Sequence, residues 1–564
     1  MGLFTRSSRS FGPAAALIAA AAFLAAPATV SAQEKLQPQA AGAANAEAGE
    51  PVIVVTLASI DKLMKDVNYI AAMMGQEQAG GMFSMMAATF TQGIDLTRPM
   101  AALVPLVDGM PQPVGLIPTN DIKSVLKRLE AQTGPADELD DGTMVIAVGA
   151  NTVYIKQQGD WAVIAASREH LDIAPQDPTP LLEGLGNDYV IAARIKPQQV
   201  PESMRAMLVD QIRQGFEQAS AAQGDAADGS QELAQNSLGQ LESMINETET
   251  LSLGINVDAS AKQMIMDMVF TGKDGSPMAE LYANQKAIPS KFVGVVREDA
   301  LAYVHGACSV GPKAIDSAKS AMQTALKSVD DMLAQQDAIG YDIQSEISAY
   351  LERLGNVIVD SVSEGRMDFG AALVPADGGV GFVAGSFVAD GNEVAKIFKE
   401  IAGKVEYQPG APSFKFDAET YQGVNIHIIE GDIPAEVEEA RKVFGETVTV
   451  YLGTGEKTVY LAVGNDAKKL MTTLIDSGAD DTPSDRPLMQ AHVKVQPILE
   501  LLQGIQANDS LAAMIEALEG SEDPGMVNVT SSGIKNGQKI RVTMSEALVK
   551  GLISTVMANQ DLGF

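Results

Sequence analysis

Short apolar stretches of strand length recur along the chain, separated by longer segments in which apolar residues return every three or four positions. VIVVTL (52–57), TMVIAVG (143–149), TVYIK (152–156), WAVIAA (161–166) and YVIAARI (189–195) read as strands. AYVHGA (302–307), VTVYLG (448–453), TVYLAV (458–463) and AHVKV (491–495) read the same way. Gly149-Ala150-Asn151 and Gly453-Thr454-Gly455-Glu456 have the length and composition of hairpin turns. The helical segments separate clusters of strands and do not alternate with them one for one. That pattern predicts an α+β fold with mostly antiparallel sheets.

The order of elements repeats. Ile122, Val125, Leu126 and Leu129, preceded by VGLIP, match Val394, Ile397, Phe398 and Ile401, preceded by GFVAGSFVA, at an offset of 272. Asn120 and Asn392 stand where each helix needs a cap. WAVIAAS (161–167) meets TVYLAVG (458–464) at 297, and Ala193–Lys196 meets Ala491–Lys494 at 298. Ile255–Val257 meets Val527–Val529 back at 272, each opening a strand pair that precedes a helix, near Met278–Asn284 and Ala547–Met557. A rising and falling offset is what insertions between elements of fixed order produce. The expectation is two tandem duplicated halves, residues 51–288 and 289–564, each a mostly antiparallel sheet packed with helices. The strand KFVGVV after Pro289 would open the second half. Extra sequence lies around Phe414–Glu446 in the second copy and after Val200 in the first, where Ala219–Gln231 reads as an exposed loop.

The N-terminus changes the picture of where such a protein works. Arg6 and Arg9 precede an apolar run from Ala14 to Ala26, then Pro27 and the small residues around Val30-Ser31-Ala32. This is the layout of a secretory signal peptide, residues 1–32, with cleavage after Ala32 and a flexible lead-in over 33–50. The separated arginines point to the general secretory route. The expected location is the periplasm or beyond. No later stretch is long and apolar enough for a transmembrane helix, so the mature chain is expected to be soluble.

Composition narrows the function classes. The 564 residues are 46% hydrophobic and 20% charged, with one cysteine and a net charge of −32. Such a chain has the apolar content to fold, forms no internal disulfide, and is unsuited to bind nucleic acid by charge.

Candidate chemistry is sparse. Ala307-Cys308-Ser309-Val310-Gly311 matches an Ala-x-Ser-x-Gly form of the hydrolase nucleophile elbow, which would make Ser309 a nucleophile with His427 or His492 as base. The first half has VIVVTLASIDKLM in the corresponding place, with Ile60-Asp61 paralleling Ile315-Asp316 and no such motif. His305 and Cys308 lie three apart in a strand and so face opposite sides, which defeats shared metal coordination. His427 and His492 alternate with aliphatic neighbours, on the less apolar strand face, and are expected to face solvent or hydrogen-bond locally. Gly453–Thr458 lacks P-loop spacing and reads as a hairpin turn. Asp140-Asp141, Asp330-Asp331 and Asp480-Asp481 are conceivable weak calcium loops but read better as solvated acid pairs. Met73, Met74, Met82, Met85 and Met86 suit either core filling or an irregular apolar cleft. No catalytic or metal-binding residue is assigned, and no cofactor is implied.

With its signal segment, acidic Ala/Met/Gly-rich composition and repeated halves, the chain resembles uncharacterised exported proteins of planctomycete-type bacteria. The resemblance implies no activity and no site residues. The function expected is a non-enzymatic binding or structural protein of the cell envelope, its partner an envelope protein or an apolar ligand. The alternatives are a serine hydrolase using Ser309 and a carrier of an apolar ligand.

Overall fold

The computed structural model describes residues 50–561 apart from 150, 223–238, 240–241, 284, 335–340, 377–378, 406–410, 434, 436–437, 479–485 and 506–507. The expected signal peptide, the lead-in up to residue 49 and Asp480-Asp481 lie outside the described residues. The fold is α+β with antiparallel strand pairing. The described residues divide into two compact units, those within 50–210, 249–262 and 266–268 in one and those within 211–248, 263–265 and 269–561 in the other.

The first unit runs β1 (Ile53–Leu57), α1 (Ile60–Met73), α2 (Glu77–Phe90), β2 (Met100–Val104), a small hairpin of β3 (Leu106–Val107) and β4 (Met110–Pro111), and β5 (Val114–Pro118). It continues with α3 (Ile122–Thr133), β6 (Asp137–Glu138), β7 (Met144–Val148), β8 (Asn151–Gln158), β9 (Trp161–Ala165), a 3-10 turn (Arg168–Ile173) and α4 (Thr179–Leu182). β10 (Ile191–Ile195), α5 (Glu202–Ala222), β11 (Thr248–Asp258) and β12 (Gln263–Gly272) follow; only the start of α5 and the middle of β12 belong to this unit. The strands lie in the order β6-β7-β8-β9-β5-β2-β1-β10-β11, each neighbour antiparallel.

Two cores hold this sheet. α3 lays Ile122, Val125, Leu126 and Leu129 over Met144, Ile146, Val153, Ile155, Ala162 and Ile164 on one face. On the other, Val54, Leu103, Val114, Leu116, Trp161 and Val163 close with Leu171, Leu182 and Leu185. Every residue of β9 is buried, which explains why its sequence is a continuous apolar run without alternation.

The second unit contains α6 (Pro277–Ala283), β13 (Ala302–Ser309), α7 (Pro312–Ala334), α8 (Tyr341–Ser363), β14 (Arg366–Ala376), β15 (Gly379–Phe387), α9 (Gly391–Val405), β16 (Ser413–Tyr421) and β17 (Val424–Asp432). Then come α10 (Glu438–Phe444), β18 (Thr447–Thr454), β19 (Thr458–Val463), α11 (Ala467–Ser477), β20 (Met489–Lys494), α12 (Val495–Ile505), α13 (Asp509–Leu518), β21 (Met526–Ile534), β22 (Gly537–Ser545) and α14 (Glu546–Asp561). Its order is β16-β17-β18-β19-β15-β14-β13-β20-β21-β22, again antiparallel throughout. Residues 269–288 pack within this unit, where Gly272 N–H donates to the Asn536 carbonyl in the β21–β22 turn at 2.8 Å.

Three local expectations change. KFVGVV does not form a strand; residues 293–295 are a 3-10 turn, and Phe292 and Val295 enter the core fully buried. Their spacing of three puts both on one side of such a turn. The caps are Asp121, which accepts from Ser124 N–H at 3.1 Å, and Asp390, which accepts from Glu393 N–H at 3.0 Å, in place of Asn120 and Asn392. An ionised carboxylate is the stronger acceptor at the positive end of a helix. Residues 219–222 close α5 as helix, and 223–231 of the expected loop lie outside the described residues.

Candidate functional site

Ser309 sits at the end of β13 in regular extended backbone, opposite Arg366 of β14. Its Oγ accepts from the Lys286 N–H at 3.0 Å, and its own N–H donates to the Lys286 carbonyl at 2.8 Å. A nucleophile elbow needs a strained turn after a strand of a parallel sheet, aiming the hydroxyl outward. Here the strand is antiparallel on both sides and the hydroxyl is committed to main chain.

The histidines are interior groups with partners. His305 is fully buried, with Nε2 2.9 Å from Ser290 Oγ. Ser290 Oγ donates to Asp368 Oδ1 at 2.6 Å and accepts from Phe292 N–H at 2.9 Å. Asp368 Oδ2 takes the Lys291 N–H at 3.0 Å and Arg366 Nη2 at 3.3 Å. The single serine proton goes to the carboxylate, so the geometry assigns the proton of His305 to Nε2. Burial pushes the Asp368 carboxyl above its ordinary range, against the lowering effect of Ser290, Lys291 and the nearby arginines. Serine, histidine and aspartate thus meet, but with serine in the middle and all three sealed from solvent. The network pins the Ser290–Phe292 segment onto β13 and β14. Ser290 and Asp368 lie 78 residues apart, and no motif in the sequence joins them.

His427 is also fully buried and, of the two environments expected for it, takes local hydrogen bonding and not solvent. Its Nδ1 accepts from Asp417 N–H at 3.0 Å and its Nε2 lies 3.0 Å from Thr454 Oγ1, under the rings of Phe398 and Phe416. Loss of solvation holds its pKa below the ordinary value, with the Asp417 carboxylate opposing. His492 stacks on Tyr303 at 5.4 Å and meets Asn528 Oδ1 at 2.7 Å. Cys308 is buried, and burial raises its thiol pKa. Asp141 accepts from Thr143 N–H at 3.1 Å and pairs with Arg168 at 2.9 Å, which carries its pKa down to about 2. Asp330 takes the Ser348 hydroxyl at 2.5 Å. Among the described residues no three His, Cys, Asp or Glu side chains gather as metal ligands, and no helix is long and apolar enough to cross a membrane.

The unusual surface of the first unit is one face of its sheet. Pairing aligns three apolar rows across β2, β1, β10 and β11: Met100, Leu57, Ile191, Ile255; Ala102, Val55, Ala193, Leu253; and Val104, Ile53, Ile195, Leu251. Ile191, Leu253 and Ile255, with Met266 and Met268 of β12, stay 36–46% exposed. α3 covers the same face at β7–β9, but not here. On β11 the alternation is inverted, since the apolar phase faces out and Ser252 and Gly254 face in. The ring of Tyr189 lies against Gly254, leaving no room for a Cβ, and its hydroxyl donates to the buried Asp267 at 2.8 Å. Apart from this face, Met82, Met85 and Met86 form an outward stripe on α2, 42–68% exposed, and are not core filler.

No family model, curated protein or solved structure matches this chain.

Proposed function

We propose that the chain is an exported, non-enzymatic binding protein made of two tandem copies of one fold, the first of which offers its open sheet face to an apolar ligand. The strand orders support the duplication. Reading β7-β8-β9-β5-β2-β1-β10-β11 against β17-β18-β19-β15-β14-β13-β20-β21 pairs the same ladder, with a helical hairpin after β1 and after β13 and a helix after β5 and after β15.

The register supports it independently. From the β9/β19 match at 297, Ile164 opposes Gly115, then Ala102, Val55 and Ala193 in successive strands. Leu461 likewise leads through Ala384, Ala371 and Val304 to Ala491. The walk ends on Ala193 and Ala491, the pair that sequence similarity names at 298. One strand further it reaches Leu253 and Val529, an offset of 276 where similarity gives 272. Four residues is an even slip, so the faces are preserved.

The observation that carries the binding function is the exposed apolar face. Soluble surfaces rarely keep such side chains adjacent unless something covers them. Full burial of each is worth roughly 1.5–3 kcal/mol, and about two fifths of that is unrealised, so covering all five recovers about 3–6 kcal/mol. Association costs consume much of this. A well-bound ligand therefore also covers the half-buried neighbours in the three rows, which favours an extended apolar molecule.

The test is titration of the protein with cis-parinaric acid, followed by fluorescence. The parent should bind saturably, and Leu253→Asp with Ile255→Lys should abolish binding without changing the far-UV circular dichroism. Equal binding by the folded double variant would refute the assignment of this face.

A further inference from the structure

A cavity of about 310 Å³ opens on the opposite side of the first unit, against the core face of β2 and β5. Leu103, Val114, Ile173, Ala174 and Leu181 form its apolar wall, and Glu50 and Asp177 stand at its rim. An apolar cavity of ~150 Å³ already takes benzene, so this one has room for an aromatic ring and a short chain.

The second unit shows what usually fills this place. Leu103, Pro105 and Val114 correspond by register to Ala372, Val374 and Val383, and both sets are buried, Leu103 and Val114 at 3% and 0% and the second set at 1–2% exposure. α11 seals them with Leu470, Met471 and Leu474, all part of the same buried cluster. A Cβ built on Gly381 would come within 2.7 Å of Leu470 Cδ1, so the helix packs directly on the strand there. In the first unit the segment after β9 is not an eleven-residue helix. It is a 3-10 turn, then Pro175, Pro178 and Pro180 around the single turn of α4. Proline at this density cannot continue a helix, since each lacks the N–H and crowds the preceding turn. The first unit therefore covers the same strands with an irregular segment, and the cavity opens where Ile173 and Leu181 of that segment stay only partly buried. The comparison between units depends on the tandem reading, whereas ligand binding to the cavity does not.

The rim selects the ligand's polar end. Lys196 Nζ already pairs with Glu50 Oε2 at 2.6 Å. Asp177 is held by Thr179, whose hydroxyl and N–H, the latter donating to Oδ1 at 3.0 Å, hold its carboxyl below the ordinary range, with Arg98 adding to the effect. The net charge of −32 raises the local concentration of cations around the whole chain.

We infer that this cavity binds a small apolar molecule ending in a protonated amine, its hydrocarbon part against Ile173, Pro180 and Leu181 and its ammonium at Asp177. The experiment is isothermal titration of the full chain with phenethylammonium chloride. One saturable site is expected, at least tenfold weaker in Asp177→Asn and for the neutral 2-phenylethanol. Ala174→Phe and Leu181→Trp, which fill the cavity from different sides, should each abolish binding while circular dichroism stays that of the parent. If Ala174→Phe misfolds, Leu181→Trp alone decides. Absence of binding by the parent, or undiminished binding by a folded filled variant, overturns the site. Equal affinity for 2-phenylethanol overturns the role of Asp177. None of these outcomes bears on cis-parinaric acid binding at the sheet face.

Discussion

Phe292 and Gly385 provide the most demanding test of the architecture. The Phe292 ring is fully buried, 5.4 Å from the ring of Tyr460, and it lies against Gly385 so closely that a Cβ there would be 2.3 Å from Cδ1. By register the pair Gly370–Gly385 corresponds to Ala101–Leu116, and Leu116 is 1% exposed. On the tandem reading, one copy fills this space with a ring arriving from the segment before β13 and the other with a leucine from the sheet itself. Phe292→Ala should then cost about 3–5 kcal/mol. Gly385→Leu in the parent should cost about 1–3 kcal/mol or more, because the ring has nowhere to move. In the Phe292→Ala background the same leucine should enter the vacated space and recover about 1–2 kcal/mol. The substitution changes sign with its neighbour, the signature of direct coupling. Urea unfolding by circular dichroism reports both units, while the only tryptophan, Trp161, reports on the first, so the shift should appear in the circular-dichroism transition and be absent from the tryptophan one. If Gly385→Leu destabilises both backgrounds alike, the claimed equivalence of the two sheets fails.

Three further outcomes follow from the interior groups. The His427 pKa lies below its ordinary 6.5, so the folded state binds fewer protons than the unfolded one in the window beneath that value. The second unit should therefore be most stable above about pH 6.5 and lose stability on acidification toward about pH 5, with His427→Asn flattening that slope; a parent whose urea midpoint is flat over this range contradicts the reasoning. Cys308, buried with a raised thiol pKa, should react with Ellman's reagent only at the rate of unfolding in urea, and fast modification of the native chain would contradict its burial. Ser309, tied to the Lys286 main chain, should not be labelled by a fluorophosphonate probe, and labelling lost in Ser309→Ala would show instead that the hydroxyl is activated.

What could be read from the sequence follows a physical divide. Strands whose two phases differ in polarity, or whose whole length is apolar, are legible to within a residue or two, as at β9 and β19. The matched helices α3 and α9 are legible because they keep their apolar spacing even where the residues change. Local capping chemistry was harder. Asn and Asp compete for the same position, and the carboxylate stands at the cap in both helices. KFVGVV is apolar enough for a strand, and only its tertiary role as a plug makes it a turn. Ser290, His305 and Asp368 carry no signal at all, since their meeting depends on strand pairing and on a segment folding back over it.

The open face of the first unit shows why burial cannot be inferred from polarity alone. In LSLGINVD the natural reading turns Leu251, Leu253, Ile255 and Val257 inward and Ser252, Gly254 and Asn256 outward. The structure does the reverse at Leu253, Gly254 and Ile255, because Tyr189 requires a glycine beneath its ring and an aspartate beyond it. Turning β11 over would expose that ring and leave Asp267 without its tyrosine. The inward phase is thus fixed by one aromatic–glycine contact and one hydrogen bond, and the apolar phase must face outward. Substituting Gly254 by Val should therefore displace Tyr189 and destabilise the first unit, whereas Leu253→Thr on the open side should leave its Trp161-reported stability within ~0.5 kcal/mol of the parent. A larger loss in Leu253→Thr than in Gly254→Val would mean that the outward phase is the packed one, and the binding face would have to be sought elsewhere.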